Sequence, residues 1–396
     1  MIKYPYSKPH ITKSDISEVI KVLKNGYLTQ GKKLDQFEKK LLEVFESKKA
    51  VVCNSGTAAL HLIYDALGLG SDQGLLTTPI TFLATANAAK MCGAPVIFAD
   101  VDHKNGLLTP ETVERALIKC KKNKINIKVI TVVHLGGKLC DLEGIHKIAK
   151  KYNCFLVEDA CHAPGAYFSN KKKLKSKVGS CKYSIATTFS FHAIKHVAMG
   201  EGGCVLTNNL EIAKKIIAKR SHGIIKDRNK FRNKEERNSP WYYEMQEIGW
   251  NYRADEMSCA LGLSQIGRLL SGIQKRRKLA AYYHNYLYNI KEITLPSDLK
   301  NLDNSVWHLY PILIDFDRLT ISRKKLMTNL LEYGITTQVH YIPLFMQPYY
   351  RIDNFSSFTG ALSYYNNTLS LPLYPTLNKK DIAFICSKLK SIITNK

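Results

Sequence analysis

The sequence lacks the marks of a zinc protein, a disulfide-bonded secreted protein and a membrane protein. Its ten cysteines include no Cys-x-x-Cys pair, and no His/Cys cluster has zinc-ligand spacing. No apolar run approaches the roughly 18–20 residues of a membrane span, and the opening MIKYPYSKPH contains no apolar signal-peptide core. We therefore expect a cytoplasmic protein with reduced thiols, no metal site and no membrane segment.

Acidic residues are scarce relative to basic ones. There are 33 Asp and Glu against 58 Lys and Arg, so the formal net charge is +25. So basic a chain suggests a nucleic-acid-binding protein, but its lysines are spread among Ile and Asn, as in KNKINIK and KIIAKR, without a recognised binding motif. We interpret the charge as solvated surface and expect no nucleic-acid partner. Its positive field would attract a phosphorylated substrate.

Short apolar runs alternate with helical patterns over the first half of the chain. This alternation predicts an α/β fold with a mainly parallel sheet, in which ligands bind at the carboxyl ends of the strands. Before the first run, a helix is predicted to start at Ser14 and stop at Gly26. Beyond about residue 255 long helical segments dominate, so we predict a large domain over 1–255 and a smaller one over 256–396. The apolar runs are KAVVCNSG, GLLTTPITF, APVIFADVD, KVITVVHLGG, CFLVEDACHAPG, YSIATTFSFH and GGCVLTN.

The run VVCNSGTAAL ends in small polar residues just before a helical pattern. Ser55, Gly56 and Thr57 would expose backbone N–H groups at the positive end of that helix, which is a ready-made phosphate site. The same residues also suit an ordinary helix cap, and the sequence does not decide between the two.

A carboxylate closes the run FLVEDACHAPG. Asp159, next to Glu158, would be costly at a buried strand end unless a cation pairs with it. That cation belongs either to a structural salt bridge or to a ligand, and a helix cap is a further alternative. His162 lies just beyond, on the same turn.

Lys195 stands in TTFSFHAIKHVAMGEGG, between an apolar run and a glycine cluster. An ordinary lysine points to solvent, but Ser190 and His192 precede this one and the following glycines allow close approach of a ligand. Such a lysine could have a lowered pKa and form a Schiff base. A phosphate cradle, a strand-end carboxylate and a partly buried lysine together are what pyridoxal phosphate requires.

These motifs identify a resemblance that covers nearly the whole chain. The sequence resembles the DegT-type sugar aminotransferases, which implies the aspartate-aminotransferase-like fold (fold type I), with a mainly parallel seven-stranded sheet and a smaller α+β C-terminal domain. The resemblance also implies pyridoxal phosphate as cofactor and a homodimer. The matching stretches are GYLTQGKKLDQFE, NSGTAALHL, TPITFLATANA, VVHLGG, EDACHAPGA, TFSFHAIKHVAMGEGG, RSHGI, NYRADEMSCALGLSQ and TTQVHYIPL.

Within that family, SFHAIK, CDLEGI, PWYYE and QVHY are similar to the enzymes of pseudaminic acid and surface-glycan synthesis. The implied reaction moves an amino group from L-glutamate to C4 of a UDP-linked 4-keto-6-deoxy-N-acetylhexosamine, UDP-2-acetamido-2,6-dideoxy-β-L-arabino-hexos-4-ulose. A related aminotransferase with another UDP- or dTDP-keto-sugar, aminated at C3 or C4, is the alternative. A pyridoxal-phosphate-dependent sugar dehydratase is a second alternative, although that branch of the family tends to replace the active-site lysine with histidine.

The resemblance assigns roles position by position. Lys195 matches the Schiff-base lysine, Asp159 the carboxylate on the ring nitrogen and His162 its neighbour near the ring hydroxyl. Phe82 matches the aromatic that stacks on the ring, and Asn251 a residue that reaches the phosphate from the other subunit. The phosphate cradle corresponds to Gly56, Thr57 and Ser190, and the sugar-nucleotide site to Tyr6, Gly26, Tyr27, Leu28, Thr29, Gln338, Val339, His340 and Tyr341. Candidates for the pyrophosphate are Arg253, Lys32 and His340.

Overall fold

The computed structural model describes residues 2–169, 175–233 and 235–394. Its apolar runs form one seven-stranded sheet in the order β1-β9-β8-β5-β4-β2-β3, as the sequence predicts. Six of these strands share one direction, and β9 runs antiparallel to both of its neighbours. The strands are β1 (Lys49–Cys53), β2 (Gly74–Thr77), β3 (Val96–Phe98), β4 (Ile127–Val133), β5 (Phe155–Asp159), β6 (Tyr167–Ser169), β7 (Lys175–Lys177), β8 (Ala186–Ser190), β9 (Gly203–Thr207), β10 (Ile224–Ile225), β11 (Glu244–Met245), β12 (Ile293–Thr294), β13 (Tyr310–Ile314) and β14 (Thr368–Leu371).

Helices cover both faces of the sheet, so its strands are buried on both sides. Along β9, Cys204 and Leu206 join the core that contains α2 residues, while Val205 joins the core that contains α3 residues. None of the helices in the described ranges is long and apolar enough to cross a membrane. The helices are α1 (Lys13–Asn25), α2 (Lys32–Phe45), α3 (Gly56–Ala66), α4 (Ala84–Met91), α5 (Pro110–Lys122), α6 (Leu142–Lys151), α7 (Leu210–Arg220), α8 (Glu256–Ile266), α9 (Leu269–Leu287), α10 (Arg323–Glu332), α11 (Thr359–Asn367) and α12 (Lys379–Thr394).

The start of α1 differs from the prediction. Thr12, not Ser14, caps the helix, because Thr12 and Asp15 exchange side-chain to backbone hydrogen bonds in a capping box. Gly26 ends the helix as predicted, in the left-handed conformation at φ 87°. Burial would raise the pKa of Asp15, but hydrogen bonds from Arg268, Ser264 and Thr12 outweigh it and hold that pKa well below its ordinary value. The hydrogen bonds from Ser264 and Arg268 to Asp15 thereby connect α1 to the C-terminal end of α8.

The chain after residue 255 forms a second sheet with its own core. Strands β12, β13 and β14 pair antiparallel, and α9, α10 and α12 pack around them. The N-terminal segment joins this unit, since Tyr4 pairs with Ile335 and is buried in the same core. Helix α8, in contrast, packs against α1 and α2. The domain division at residue 255 stays a prediction.

Candidate active site

The carboxyl ends of β1, β5 and β8 meet at one edge of the large sheet, and a cavity of ≈640 Å³ opens there. Its wall combines those strand ends with the segment around residue 340, which precedes β14. The structure therefore brings together most of the predicted site residues. Those that line the cavity are Tyr6, Gly56, Thr57, Phe82, Asp159, His162, Ser190, Lys195, Gln338, Val339, His340 and Tyr341.

The turn between β1 and α3 serves as a helix cap and also forms part of the cavity wall. Ser55 Oγ accepts a hydrogen bond from the Ala58 N–H at 3.0 Å, so Ser55 is the cap. Gly56 and Thr57 begin α3 and line the cavity, and the first N–H groups of a helix have no acceptor within that helix. Ser190 packs against this turn, because a Cβ on Gly56 would lie 2.9 Å from the Ser190 Cβ. The same turn can therefore cap α3 through Ser55 and still offer free N–H groups to an anion, so the two alternatives do not exclude each other.

The two adjacent carboxylates of β5 point to opposite sides of the strand, as side chains in a strand do. Glu158 is buried away from the cavity, where it accepts hydrogen bonds from Ser184 at 2.5 Å and Thr187 at 2.9 Å and contacts His134 at 3.1 Å. Asp159 lines the cavity. Only Asp159 can therefore meet a ligand.

Among the residues that the structure describes, a hydroxyl and a backbone amide hold Asp159, and no lysine or arginine forms a salt bridge with it. Its Oδ2 accepts from Thr85 Oγ1 at 2.7 Å, and its Oδ1 accepts from the Cys161 N–H at 3.3 Å. Because Thr85 donates its only proton to Asp159, Thr81 Oγ1 at 2.9 Å must donate to Thr85. This chain fixes the carboxylate in one orientation.

Lys195 lines the cavity and is partly buried, so the alternative of a lysine in bulk solvent is wrong. It follows β8 in a tight turn, where its N–H donates to the His192 carbonyl at 2.9 Å. Burial lowers the pKa of the Lys195 ammonium, although the nearby Cys161 and Asp159 act in the opposite direction. A lowered pKa makes more of the neutral, nucleophilic amine available.

His162 has a defined tautomer. The N–H of Gly136, in the 3-10 turn Leu135–Gly137, donates to His162 Nδ1 at 3.2 Å. Burial lowers the pKa of His162 well below its ordinary value, so the ring is neutral at pH 7. A neutral imidazole that accepts at Nδ1 carries its proton on Nε2, which lies 3.4 Å from the Tyr341 hydroxyl inside the cavity.

Aromatic and polar side chains from the later part of the chain complete the wall. The Phe82 ring is 57% exposed, with its centroid 6.2 Å from that of Tyr341. The His340 ring is buried, lies 5.7 Å from the Tyr6 ring and contacts Ser370 Oγ through Nδ1 at 2.9 Å. The cavity thus has an open aromatic side and a buried polar side.

A model of the DegT/DnrJ/EryC1/StrS aminotransferase family matches residues 9–390. The chain belongs to this family. The family match and the architecture confirm the predicted fold class and the prediction that the chain is an aminotransferase.

Individual relatives of this aminotransferase match over almost their whole length. A UDP-4-amino-4,6-dideoxy-N-acetyl-β-L-altrosamine transaminase of Campylobacter jejuni is 38% identical over 395 residues, which are 98% of this chain and 97% of the relative. The spore coat polysaccharide biosynthesis protein SpsC of Bacillus subtilis is 35% identical over 393 residues, again 98% and 97%. Among solved structures, Helicobacter pylori PseC, an aminotransferase involved in the biosynthesis of pseudoaminic acid, has a TM-score of 0.87 at 31% identity and covers 99% of this chain and 100% of PseC.

Some predicted residues of this aminotransferase lie away from the cavity of their own chain. Tyr27 is 76% exposed, and Leu28 is 45% exposed with its carbonyl accepting from the Glu256 N–H at 2.9 Å. Asn251 is exposed beside the cradle, since its carbonyl accepts from Asn54 Nδ2 at 3.4 Å. The predicted residues that do not line the cavity are Gly26, Tyr27, Leu28, Thr29 and Asn251, with the pyrophosphate candidates Arg253 and Lys32.

Sequence reasoning missed several residues of the cavity wall, including three that lie against predicted site residues. Thr85 and Cys161 contact Asp159, and the His308 ring lies against the His162 ring, tilted by 31° with centroids 4.3 Å apart. The position of Cys161 two residues after Asp159 was a usable signal for Cys161. The four-residue spacing of Thr81, just before α4, and Thr85, in its first turn, was a weaker signal for Thr85. Nothing near His308 in the sequence connects it with residues so far away along the chain. In the described ranges, no group of three or more His, Cys, Asp or Glu side chains could hold a metal ion.

Proposed function

We propose that this aminotransferase uses pyridoxal phosphate, bound in the ≈640 Å³ cavity. One observation carries the proposal: the N-terminus of α3, Asp159 and Lys195 line the same cavity, although they lie far apart in the sequence. A phosphate fits the cradle of Gly56, Thr57 and Ser190, where a Cβ on the glycine would intrude. When bound, the cofactor supplies a protonated ring that accepts the negative charge developing on a substrate carbon.

Three side chains hold that ring in the proposed arrangement. Asp159, oriented by Thr85, would keep the ring nitrogen protonated because its carboxylate favours the charged form. His162 would offer its Nε2–H to the ring hydroxyl, since the Gly136 N–H occupies its other nitrogen. Phe82, which is exposed toward the cavity, would pack on the ring face.

Lys195 is proposed to attach the cofactor covalently and then to move protons. With the cofactor bound and an amino-acid donor in place of the lysine, the Lys195 Nζ would serve as the base that accepts a proton from the donor α-carbon and as the acid that gives it back. Burial supports this role, because the lowered pKa leaves more of the amine neutral and able to accept that proton. The same residue then works in the reverse direction on the keto-sugar.

The substrates proposed are L-glutamate as donor and UDP-2-acetamido-2,6-dideoxy-β-L-arabino-hexos-4-ulose as acceptor, aminated at C4. Support comes from the activity for which the Campylobacter jejuni relative is named, at 38% identity, and from the pseudoaminic-acid role of PseC, at 31% identity. Tyr6 and the segment Gln338–Tyr341 would contact the sugar from within the cavity. Residues 26–29 would contact the nucleotide from outside it.

We further propose a cytoplasmic homodimer in which Asn251 completes the neighbouring site. Asn251 is exposed and lies beside the cradle loop, in an extended segment paired with Ser221. Trp250 and Tyr252 stack on each other, 5.7 Å apart, against His61 on the inner side of this segment. Side chains alternate along an extended segment, so Asn251 faces outward, where a second copy could bring it to a phosphate.

The covalent role of Lys195 is tested by Lys195→Ala, with Lys215→Ala as an exposed lysine control on α7. We expect Lys195→Ala to lose turnover and the borohydride-reducible cofactor adduct, while Lys215→Ala keeps both. Wild-type turnover in Lys195→Ala would reject the mechanism. Product identity is tested separately by incubating the enzyme with glutamate and a panel of UDP- and dTDP-4-keto-6-deoxy sugars and locating the new amino group by NMR. Amination at C3, or of dTDP-sugars only, would reject the proposed acceptor.

A further inference from the structure

A second cavity, of ≈550 Å³, lies between the 3-10 turn Leu135–Gly137 and the segment that leads into β13. Its size is that of a small-molecule site, and such sites form preferentially where two packed units of a protein meet. None of the described residues that line it also lines the active-site cavity. The two cavities are therefore distinct places on the molecule.

The back wall of the second cavity is fixed by hydrogen bonds within the protein. The Gly136 carbonyl accepts from the His308 N–H at 2.9 Å. Trp307, which lines the second cavity, donates its indole N–H to the Leu302 carbonyl at 2.7 Å. Since the Gly136 N–H donates to His162 of the active site, a single turn separates the two cavities. The second cavity is thus formed in advance of any ligand.

Lys138 follows that turn and lines the second cavity with its side chain partly buried. Its Nζ donates to the Pro296 carbonyl at 3.2 Å. Burial lowers the pKa of Lys138, although Asp102 and Asp298 act in the opposite direction. Among the residues that the structure describes, no carboxylate forms a salt bridge with this lysine. An ammonium has three donors, so Lys138 has two left for an anionic group.

Most of the other polar side chains of this wall both donate and accept hydrogen bonds. The Asn105 Oδ1, for example, accepts from the Leu107 N–H at 2.9 Å, which leaves the Nδ2 group of Asn105 to donate. Hydroxyl groups have the same double character, so this wall matches a hydroxyl-rich ligand. The amide and hydroxyl side chains are Asn105, Asn301, Asn304, Thr294, Ser297 and Ser305.

The charges of the wall favour a ligand with one negative group. Lys104 and Lys138 are its cations, and Asp298 is its carboxylate. Within the described ranges Lys104, like Lys138, has no salt bridge to a carboxylate. One negative group can interact with these ammonium groups, whereas a ligand with several would also meet the charge of Asp298.

We propose that the second cavity binds a small hydroxyl-rich acid, a monosaccharide that carries one carboxylate or one phosphate group. The acid group would bind Lys138, and the hydroxyl groups would bind the amides and hydroxyls of the wall. Leu309, Pro311 and Leu313 supply an apolar surface for the C–H groups of the sugar. This site goes beyond the aminotransferase reaction and does not depend on which keto-sugar the enzyme aminates.

Binding is measured by saturation-transfer NMR titrations of the cofactor-loaded enzyme with three probes. D-Glucuronate and D-glucose 6-phosphate distinguish a carboxylate from a phosphate, and D-glucose is the neutral control. We expect at least one of the acids to bind saturably. Glucose should bind at least about tenfold more weakly, because a hydrogen bond to a charged group contributes about that factor.

Two variants test whether the acid occupies the second cavity. Lys138→Gln removes a cation, and Asn105→Asp adds a negative charge while it keeps an oxygen for the Leu107 N–H. Each should weaken acid binding at least about tenfold. Each should also leave kcat within about twofold of wild type, since neither side chain lines the active-site cavity. Lys150→Gln, at an exposed lysine of α6, is the matched control, and Ser190→Ala alters the active-site cavity instead. Neither of these should change the affinity for the acid.

The absence of saturable binding by both acids, or equal affinity for glucose, would overturn the proposal. Acid binding that survives either folded cavity variant would overturn it too, as would an equal loss in Ser190→Ala, which would place the acid in the active-site cavity. Should Lys138→Gln fail to fold by circular dichroism, Asn105→Asp decides. All of these outcomes leave the proposed function standing, because that function fails only if Lys195→Ala retains turnover.

Discussion

Asn251 allows the proposed dimer to be tested by mixing two inactive variants. Its side chain is exposed and absent from the cavity of its own chain, while Lys195 lines that cavity. If Asn251 serves the neighbouring site, each site draws Lys195 from one chain and Asn251 from the other. Lys195→Ala and Asn251→Asp then damage different halves of a shared site.

The size of the Asn251→Asp effect follows from the charge that it brings to the cofactor phosphate. At about 4 Å and an effective dielectric constant of about 20, two like unit charges repel by about 4 kcal/mol. A loss of that size lowers kcat/KM by at least about a hundredfold. The substitution is nearly isosteric at an exposed position, so we expect the fold to be unaffected.

Mixing then has a calculable outcome. In a mixed dimer, one site combines both substitutions and the other has neither. Random reassociation of equal amounts makes about half of the dimers mixed, so about one quarter of wild-type activity should return. Purification of the mixed dimer through two different affinity tags should raise this to about one half.

The assay is the initial rate with glutamate and the keto-sugar after subunits have been dissociated in mild denaturant and refolded together. A mixture of Lys195→Ala with Asp159→Asn is the matched control, because both residues line the cavity of one chain and no intact site can form. Recovery in the control would show that the variants are not truly inactive. No recovery in the Lys195→Ala and Asn251→Asp mixture would refute the shared site, since Asn251 would then act within its own chain or not at all.

Three further outcomes are expected. Thr85→Val removes the hydroxyl that donates to Asp159 at 2.7 Å, and we expect kcat to fall about tenfold in steady-state assays with an unchanged melting temperature; an unchanged kcat would contradict the orienting role. Gly56→Ala places a methyl group 2.9 Å from the Ser190 Cβ, so fluorescence titration of the apo-protein should show pyridoxal phosphate binding weakened at least about tenfold, whereas equal affinity would argue against the cradle. Asp15→Asn should lower the free energy of unfolding by about 1–3 kcal/mol at pH 7 in urea titrations. Because the pKa of Asp15 is depressed in the folded state, this difference should shrink as the pH falls below about 4, and a difference independent of pH would contradict the assignment.

Local patterns in the sequence determined much of the site. Apolar runs that end in polar residues located the seven strands of the large sheet, six of which are parallel, and the strand-end rule then pointed to Gly56, Asp159 and Lys195. The residue pattern alone could place either Glu158 or Asp159 on the cavity side. The family resemblance selects Asp159, and the structure places Asp159 in the cavity wall and Glu158 in a separate buried hydrogen-bond network. The start of α1 was wrong by two residues for a similar reason, since Thr12 and Ser14 both have the chemistry of a cap and only the capping box with Asp15 decides between them.

By itself, the sequence determined the strands of the large sheet, the mainly parallel arrangement of these strands and the residues that could bind pyridoxal phosphate. These features depend on periodicity and on motifs only a few residues long. The tertiary structure decided which of those residues share a cavity, how Thr85 orients Asp159, and that His308 stands behind His162 with an unpaired nitrogen. Such contacts join segments that are distant in the sequence: Thr85 and Asp159 are separated by 74 positions. Packing of distant segments sets such contacts, and no short stretch of sequence encodes them.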